Sequence, residues 1–299
     1  MADKRDIVVG VIIIGSIVVF GLLVVFAIIG SLGEGDIEFT GLGDKIGIVE
    51  VQGAIYNSRD IVRQLNKYEK SDNIPAVVLD INSPGGAVVP SLEIYEEILK
   101  VREKGLIVVA NFGSVAASGG YLIACACDTI VSSPGTITGS IGTILSYPVA
   151  DELLDKIGLR YEIIKSGEYK DVGNFARETT ERERRMLQNL IDDSHEKFIE
   201  LIADGRGMDV ETVRDAAHGQ IFSGERAKIL GLVDVLGDYY DAVEIAADMA
   251  GIEEDPTTVK ERKHTRSFWD TIAETSAAIQ AILENQQART GPQLEYILR

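Results

Sequence analysis

Histidine, cysteine, proline and basic charge are all scarce in this chain of 299 residues. Its two cysteines, Cys125 and Cys127, cannot form a disulfide framework, and a bridge across the one residue between them would be strained. They lie in the apolar run YLIACACD with no His or second Cys pair nearby, so buried structural thiols and no metal are expected. Seven prolines exclude collagen-like classes. Basic residues number 29 against 47 acidic ones, a net charge of −18. Such a surface repels phosphates, and the longest basic cluster, Lys260-Glu-Arg-Lys-His-Thr-Arg266, is short, so no nucleic-acid partner is expected. Of the three histidines, His195 lies in the charged run DDSHEKF, His218 at a helix end and His264 near the C-terminus. None falls in a Gly-rich turn beside a strand, and nothing recommends a Ser-His-Asp triad.

One long apolar run is present. Ile7–Gly30 holds 24 residues without a charge. As a helix it would extend about 36 Å, against a hydrocarbon core of ~30 Å. It exceeds a signal-peptide h-region and lacks a clear small-x-small cleavage site, so an uncleaved signal-anchor is expected. Lys4 and Arg5 precede it. The positive-inside rule then puts residues 1–6 in the cytoplasm and the rest of the chain beyond the membrane lipid. Residues 31–44 read as a Gly- and acid-rich linker, residues 45–251 as the main domain and residues 252–299 as a tail.

Within the main domain, apolar runs of strand length alternate with helical patterns. Strands are expected at Ile46–Val51, Ala76–Ile81, Leu106–Phe112, Thr129–Ser132, Ile141–Ser146 and Tyr161–Lys165. Helices are expected at Ser58–Tyr68, Ser91–Glu103, Ser118–Cys125, Asp151–Ile157, Thr180–Ala203, Val210–Ala217 and Tyr239–Met249. That alternation implies βαβ units and a largely parallel sheet, an α/β fold.

Three Gly-rich turns adjoin strands: Asn82-Ser-Pro-Gly-Gly86, Gly113-Ser-Val-Ala-Ala-Ser-Gly-Gly120 and Thr138-Gly-Ser-Ile-Gly142. Phosphate-loop spacings are absent from them, which leaves little support for a nucleotide cofactor. Ser118 enters a helix with two glycines after it. A nucleophile there has the Gly119 N–H available to an oxyanion, and the Asn82–Gly86 turn can supply a second. Taken alone, a helix-capping serine is the ordinary alternative. With no histidine at hand, a lysine is the other partner for serine, and its amine must be desolvated to accept a proton. Lys165 and Lys170 bracket Ser166-Gly-Glu-Tyr169.

The order VQGAI, INSPGG, GSVAASGGYLIA, TGSIG, KSGEYKD and SGERAKILGLVD resembles the signal peptide peptidase A family, over about residues 45–250. The resemblance implies a ClpP/crotonase-like βαβ spiral domain behind one N-terminal transmembrane helix. It also implies a membrane-anchored serine endopeptidase without cofactors, acting on leftover signal peptides and other hydrophobic or unfolded segments. Its Ser-Lys dyad maps onto Ser118 and Lys170, with Ser140 holding the lysine and Gly119 and Gly86 as oxyanion donors. Lys165 is the first lysine of the motif and not the catalytic one. A homo-oligomeric ring is implied, in which serine and lysine can come from adjacent subunits. ClpP itself would need a histidine near Gly139–Thr143. The competing readings are a stomatin-partner type Ser-Lys peptidase, a non-catalytic peptide-binding scaffold and an acyl-CoA enzyme.

Overall fold

The computed structural model describes residues 44–253 and 255–261. The expected transmembrane span, the residues around it and most of the tail lie outside that range. Among the described residues no helix is long and apolar enough to cross a membrane.

Three parallel strands form the centre: β1 (Lys45–Gln52), β2 (Ala76–Ser83) and β3 (Ile107–Ala117). Their near-continuous apolar sequences suit a sheet covered on both faces. Alternate residues divide between two cores, as the strand period of two requires. Val49, Val77, Leu79 and Val108 point into the larger core. Ile46, Ile48, Val78 and Val109 point into the smaller.

Helix α1 (Arg59–Glu69) buries Ile61, Leu65 and Tyr68, four and three residues apart. Helix α2 (Val88–Glu103) buries Ile94, Tyr95, Ile98 and Val101 at the same helical spacing. Helix α3 (Gly119–Cys125) is buried in all seven residues, which is why its sequence is apolar on every side. These three cover the larger core. The opposite face is closed later in the chain by a helix bearing Ala242, Val243, Ala246 and Ala247.

β3 carries two partners in succession along one edge. β4 (Thr129–Ser132) pairs with Val109–Phe112, and β5 (Ile137–Gly139) pairs with Val115–Ala117. Between them the register against β2 slips: Ile81 faces Phe112, but Ser83 faces Ala116. The extra residues bulge, and the Asn82 side-chain carbonyl caps the bulge by accepting the Val115 N–H at 3.2 Å. This bend turns the end of β3 toward the SPGG turn. It also makes β3 longer than the expected Leu106–Phe112.

The chain then runs through α4 (Asp151–Lys156) to α5 (Glu181–Arg206) and α6 (Val210–Asp215). β6 (Ile221–Ser223) pairs antiparallel with β5, and α7 (Gly224–Ile229) and β7 (Val235–Leu236) follow. The covering helix just described is α8 (Tyr239–Ala250). The SGERAKILGLVD stretch is structural here. Gly224 leaves no room for a Cβ, which would meet the Ser133 carbonyl at 2.0 Å. Asp234 accepts both Arg206 and the Ile130 N–H, and the Leu232 carbonyl accepts the Tyr121 hydroxyl.

Three sequence expectations need correction. Ile141–Ser146 and Tyr161–Lys165 are not strands. Ile144 is 89% and Ile164 96% exposed, and neither run meets a ladder partner among the described residues, without which extended backbone is no strand. The sheet also does not end at residue 251. β8 (Thr257–Lys260) pairs parallel with β1, in the order β6-β5-β3-β2-β1-β8. The Pro-containing run ahead of it reads as a linker, yet it delivers a strand to an open edge.

That edge generates a test. The Tyr68 hydroxyl donates to the Val259 carbonyl and accepts the Glu261 N–H, and Arg63 pairs with Glu261 at 2.9 Å. A chain of residues 44–254 should be less stable than one of residues 44–261 by about 2 kcal/mol, from lost ladder bonds and apolar cover. Thermal melting should report a fall of roughly 4–8 °C. Equal melting temperatures would show that β8 contributes nothing.

Candidate active site

Ser118 sits where β3 hands over to α3, with φ 52° and ψ −123°. Ser118 and Ser140 are the two non-glycine residues with positive φ among the described residues. Such conformations cost of order 1–3 kcal/mol and persist only where neighbours enforce them. Here the Ser118 N–H donates to the Gly139 carbonyl at 2.8 Å, and the Ser140 N–H to the Gln220 carbonyl at 2.7 Å. β3–β5 pairing thus holds Ser118 beside the TGSIG turn. The Ser118 carbonyl accepts the Leu122 N–H and starts the helix.

The SPGG turn packs against this point. Gly85 has φ 98°, and a Cβ there would lie 2.7 Å from the Gly119 nitrogen. Gly86 bridges Ile55, which donates to the Gly85 carbonyl and accepts the Ala87 N–H. A Cβ on Gly86 would come within 2.2 Å of the Ile55 carbonyl, so only glycine fits. In a parallel bridge the bridged residue's own N–H faces away from its partner. Neither the Gly86 nor the Gly119 amide finds an acceptor among the described residues. The two lie close together, since the Cβ position of Gly119 is 3.4 Å from the Gly86 nitrogen. Both line one groove with Ser118, and two convergent free donors beside a hydroxyl can hold an oxyanion.

That groove has a volume of about 350 Å³. Val88, Leu92, Leu122, Ile144 and Phe198 make its walls apolar, and Asp193 and Lys197 of α5 also line it. Ser91 packs beneath Gly119, its hydroxyl 2.5 Å from where a Cβ would stand. Sequence reasoning passed over Ser91, which looks like any residue on the α2 face. Neither His195 nor His218 lines the groove. Cys125 and Cys127 are buried, and burial pushes the Cys125 thiol up to about 12. Asp80 accepts a bond from the Asn111 amide at 2.7 Å, away from the groove lining.

Ser118, Gly119 and Gly86 are therefore gathered at one groove, and Ser140 is joined to them through the Gly139 carbonyl. Lys170 is not among the groove residues and is exposed. It sits on a turn after Lys165 that is tied to the start of α5. Asp171 accepts Arg177 and Lys165, and those cations hold its carboxyl well below the usual range, Arg177 foremost. Arg177 also binds Glu183, a member of the α5 capping box with Thr180, and lowers Glu183 to about 2. No sequence signal distinguished these charges from a solvated face.

Comparison with known proteins defines the class first. The family profile described as Clp protease matches residues 45–134, the stretch that builds β1 to β4 and the Ser118 turn. The profile described as Peptidase family S49 matches residues 100–253. A Synechocystis sp. protein that carries a protease name (slr0021) is 46% identical over 212 residues, 71% of this chain and 76% of its own length. An Enterococcus faecium protein named for signal peptide peptidase SppA is 33% identical over 213 residues, covering 62% of that protein. Protease 4 of Salmonella typhi is 33% identical over 221 residues, and the match spans 36% of its length. The chain belongs to peptidase family S49, a family of proteases, and its mixed α/β sheet fits a Clp protease-like domain.

The strained serine and the charged turn can each be tested. Glycine adopts positive φ without strain, whereas alanine does not. Ser118→Gly should therefore melt about 2–4 °C above Ser118→Ala, the equivalent of roughly 1 kcal/mol in a domain of this size. A higher melting point for the alanine variant would mean that the turn is unstrained. For the Lys170 turn, both carboxyl values are depressed in the folded state. Their stabilisation is present above the ordinary carboxylate pKa of about 4 and is lost as pH falls toward 2. Amide-exchange protection across residues 165–180 should drop over that window, and in Arg177→Met it should already be low at pH 6. Unchanged protection at pH 2 would refute the assignment.

Proposed function

We propose that this protein is a serine endopeptidase of family S49 acting through Ser118 and Lys170. The observation that carries the reading is Ser118 itself, held at positive φ at the head of α3 with the Gly119 and Gly86 amides free beside it. Ser118 Oγ attacks the scissile carbonyl carbon while Lys170 Nζ takes its proton. The Gly119 and Gly86 N–H groups hold the oxyanion. Lys170 then protonates the leaving amine, an acyl-enzyme forms on Ser118, and water, giving its proton to Lys170, releases the acid and restores the serine. Ser140 holds the lysine. The apolar groove walls suit hydrophobic or unfolded peptide segments, including spent signal peptides, a substrate class also suggested by the name of the Enterococcus relative. Ile7–Gly30 anchors the chain in the cell membrane, with residues 1–6 cytoplasmic, residues 31–44 as tether and the peptidase domain outside.

Lys170 reaches Ser118 from a second copy in a homo-oligomeric ring. Two facts support this. From Glu183, which anchors the lysine turn, to Asp193, where α5 first meets the groove, the helix climbs about 15 Å. The segment that carries Lys170 also exposes Ile144, Leu153, Ile157 and Ile164, an apolar surface that a soluble monomer rarely presents.

Subunit mixing tests the whole reading. Ser118→Ala and Lys170→Ala should each abolish turnover of an unstructured apolar peptide. Mixed in equal amounts and allowed to exchange subunits, they should recover about a quarter of wild-type activity, the share of neighbouring pairs that unite an intact serine with an intact lysine. Full activity in Lys170→Ala alone would remove the lysine from the mechanism. No recovery on mixing, with subunit exchange verified, would place both groups in one chain.

A further inference from the structure

Residues 165–171 contain four charged side chains, and three of them are engaged. Lys165 Nζ donates to the Glu168 carbonyl at 2.9 Å and to Asp171 Oδ1 at 2.5 Å, closing a ring over the turn in between. The backbone completes it, with Lys170 N–H to the Gly167 carbonyl at 3.3 Å and Val172 N–H to the Tyr169 carbonyl at 3.2 Å. Glu168 pairs with Arg182 of α5. Arg177 forks onto Asp171, Nε to Oδ2 at 2.8 Å and Nη2 to Oδ1 at 2.9 Å, and reaches Glu183 with the same guanidinium. The two carboxylates are 9% and 3% exposed, so the network is sheltered where most ion pairs among the described residues are wet. The fourth charge, Lys170, meets no partner among the described residues.

We infer that Lys165, Asp171 and Arg177 are positioning residues that lock the Lys170 turn onto the first turn of α5 and keep the Asp171 carboxylate from pairing with Lys170. The inference rests on the proposed role of Lys170. Bidentate Arg–carboxylate pairs fix direction as well as distance, so the turn is held on the first turn of the 26-residue α5. Both Asp171 oxygens are occupied, so the nearest carboxylate along the chain does not tether the free amine. The first lysine of K-S-G-E-Y-K thereby occupies the acid, and the second remains unpaired.

The experiment uses the full chain in detergent, with an unstructured apolar peptide as substrate and active sites titrated by a fluorophosphonate. Lys165→Met, Asp171→Asn and Arg177→Met should each lower kcat by about 10- to 100-fold, the scale of a misplaced catalytic group, with KM changed less than about two-fold. Asp171→Asn combined with Arg177→Met should be no worse than either alone, because the partners act as one unit. Arg177→Lys, which keeps the charge and loses the fork, should recover part of kcat. Glu168→Gln, whose side-chain pair is exposed, should behave as wild type. Wild-type kcat in the three variants, with Lys170→Ala inactive, would overturn the positioning role and leave Lys170 as the base. Full turnover in Lys170→Ala would instead overturn the underlying reading. A parallel loss of kcat, KM and melting temperature, Arg177→Lys included, would show a merely structural network and overturn the inference as well.

Discussion

The Ser118 backbone conformation is the constraint to which the surrounding structure is fitted. A side chain at φ 52° is disfavoured, so something must hold it there. The bulge in β3 supplies the approach, because it swings Ala116 and Ala117 out of step with β2 and onto β5. The Gly139 carbonyl then fixes the Ser118 N–H, while glycines at 85, 86 and 119 give the room that the turn needs. Adding one methyl group to any of these glycines would drive it into backbone or into Ser91. On the proposed mechanism the strain serves the chemistry. It lifts the hydroxyl to the rim of a groove and leaves the first amide of α3 unpaired beside it.

Rigidity around that point comes from burial. α3 is enclosed on all sides, Tyr121 is pinned to the Leu232 carbonyl, and the half-sheltered Arg206–Asp234 pair ties α5 to the strand that follows α3. The segment carrying Lys170 is built in another way. It has one short helix, a largely exposed apolar surface and a compact ion-pair network at its hinge with α5. One half of the proposed machinery is thus set by a packed core and the other by charge.

Much of the fold is legible in the chain itself. AVVLDI is a strand because period and composition agree, and the positions of the apolar residues of α1 predict which of its faces is buried. Gly-rich turns at strand ends draw attention to Ser118, to the Gly119 amide after it and to the Asn82–Gly86 turn, whereas the choice of Ser118 as nucleophile and of Gly86 as second donor comes from family likeness. Ser140 is named through family likeness alone, and its positive φ supplies a physical trait that no local pattern encodes. IGTILS and YEIIK read as strands and are not, because a ladder needs a partner and no sequence pattern says whether one is in reach. TTVK, by contrast, looks like part of a linker until the open edge of β1 receives it.

By itself the sequence determined the largely parallel α/β class and the strand and helix faces of the core, because these follow from periodicity and residue size, and it singled out the Gly-rich turn that bears Ser118. Only the tertiary structure decided where β3 bends, that Ser118 and Ser140 share a strained backbone, that Lys170 is not among the residues lining the groove, and that Lys165, Asp171, Arg177 and Glu183 form one network. Each of those depends on groups distant in sequence meeting in space. A hydrogen bond from β3 to β5, or a guanidinium between two carboxylates, has no local signature: its energy exists only once the partners have been brought together.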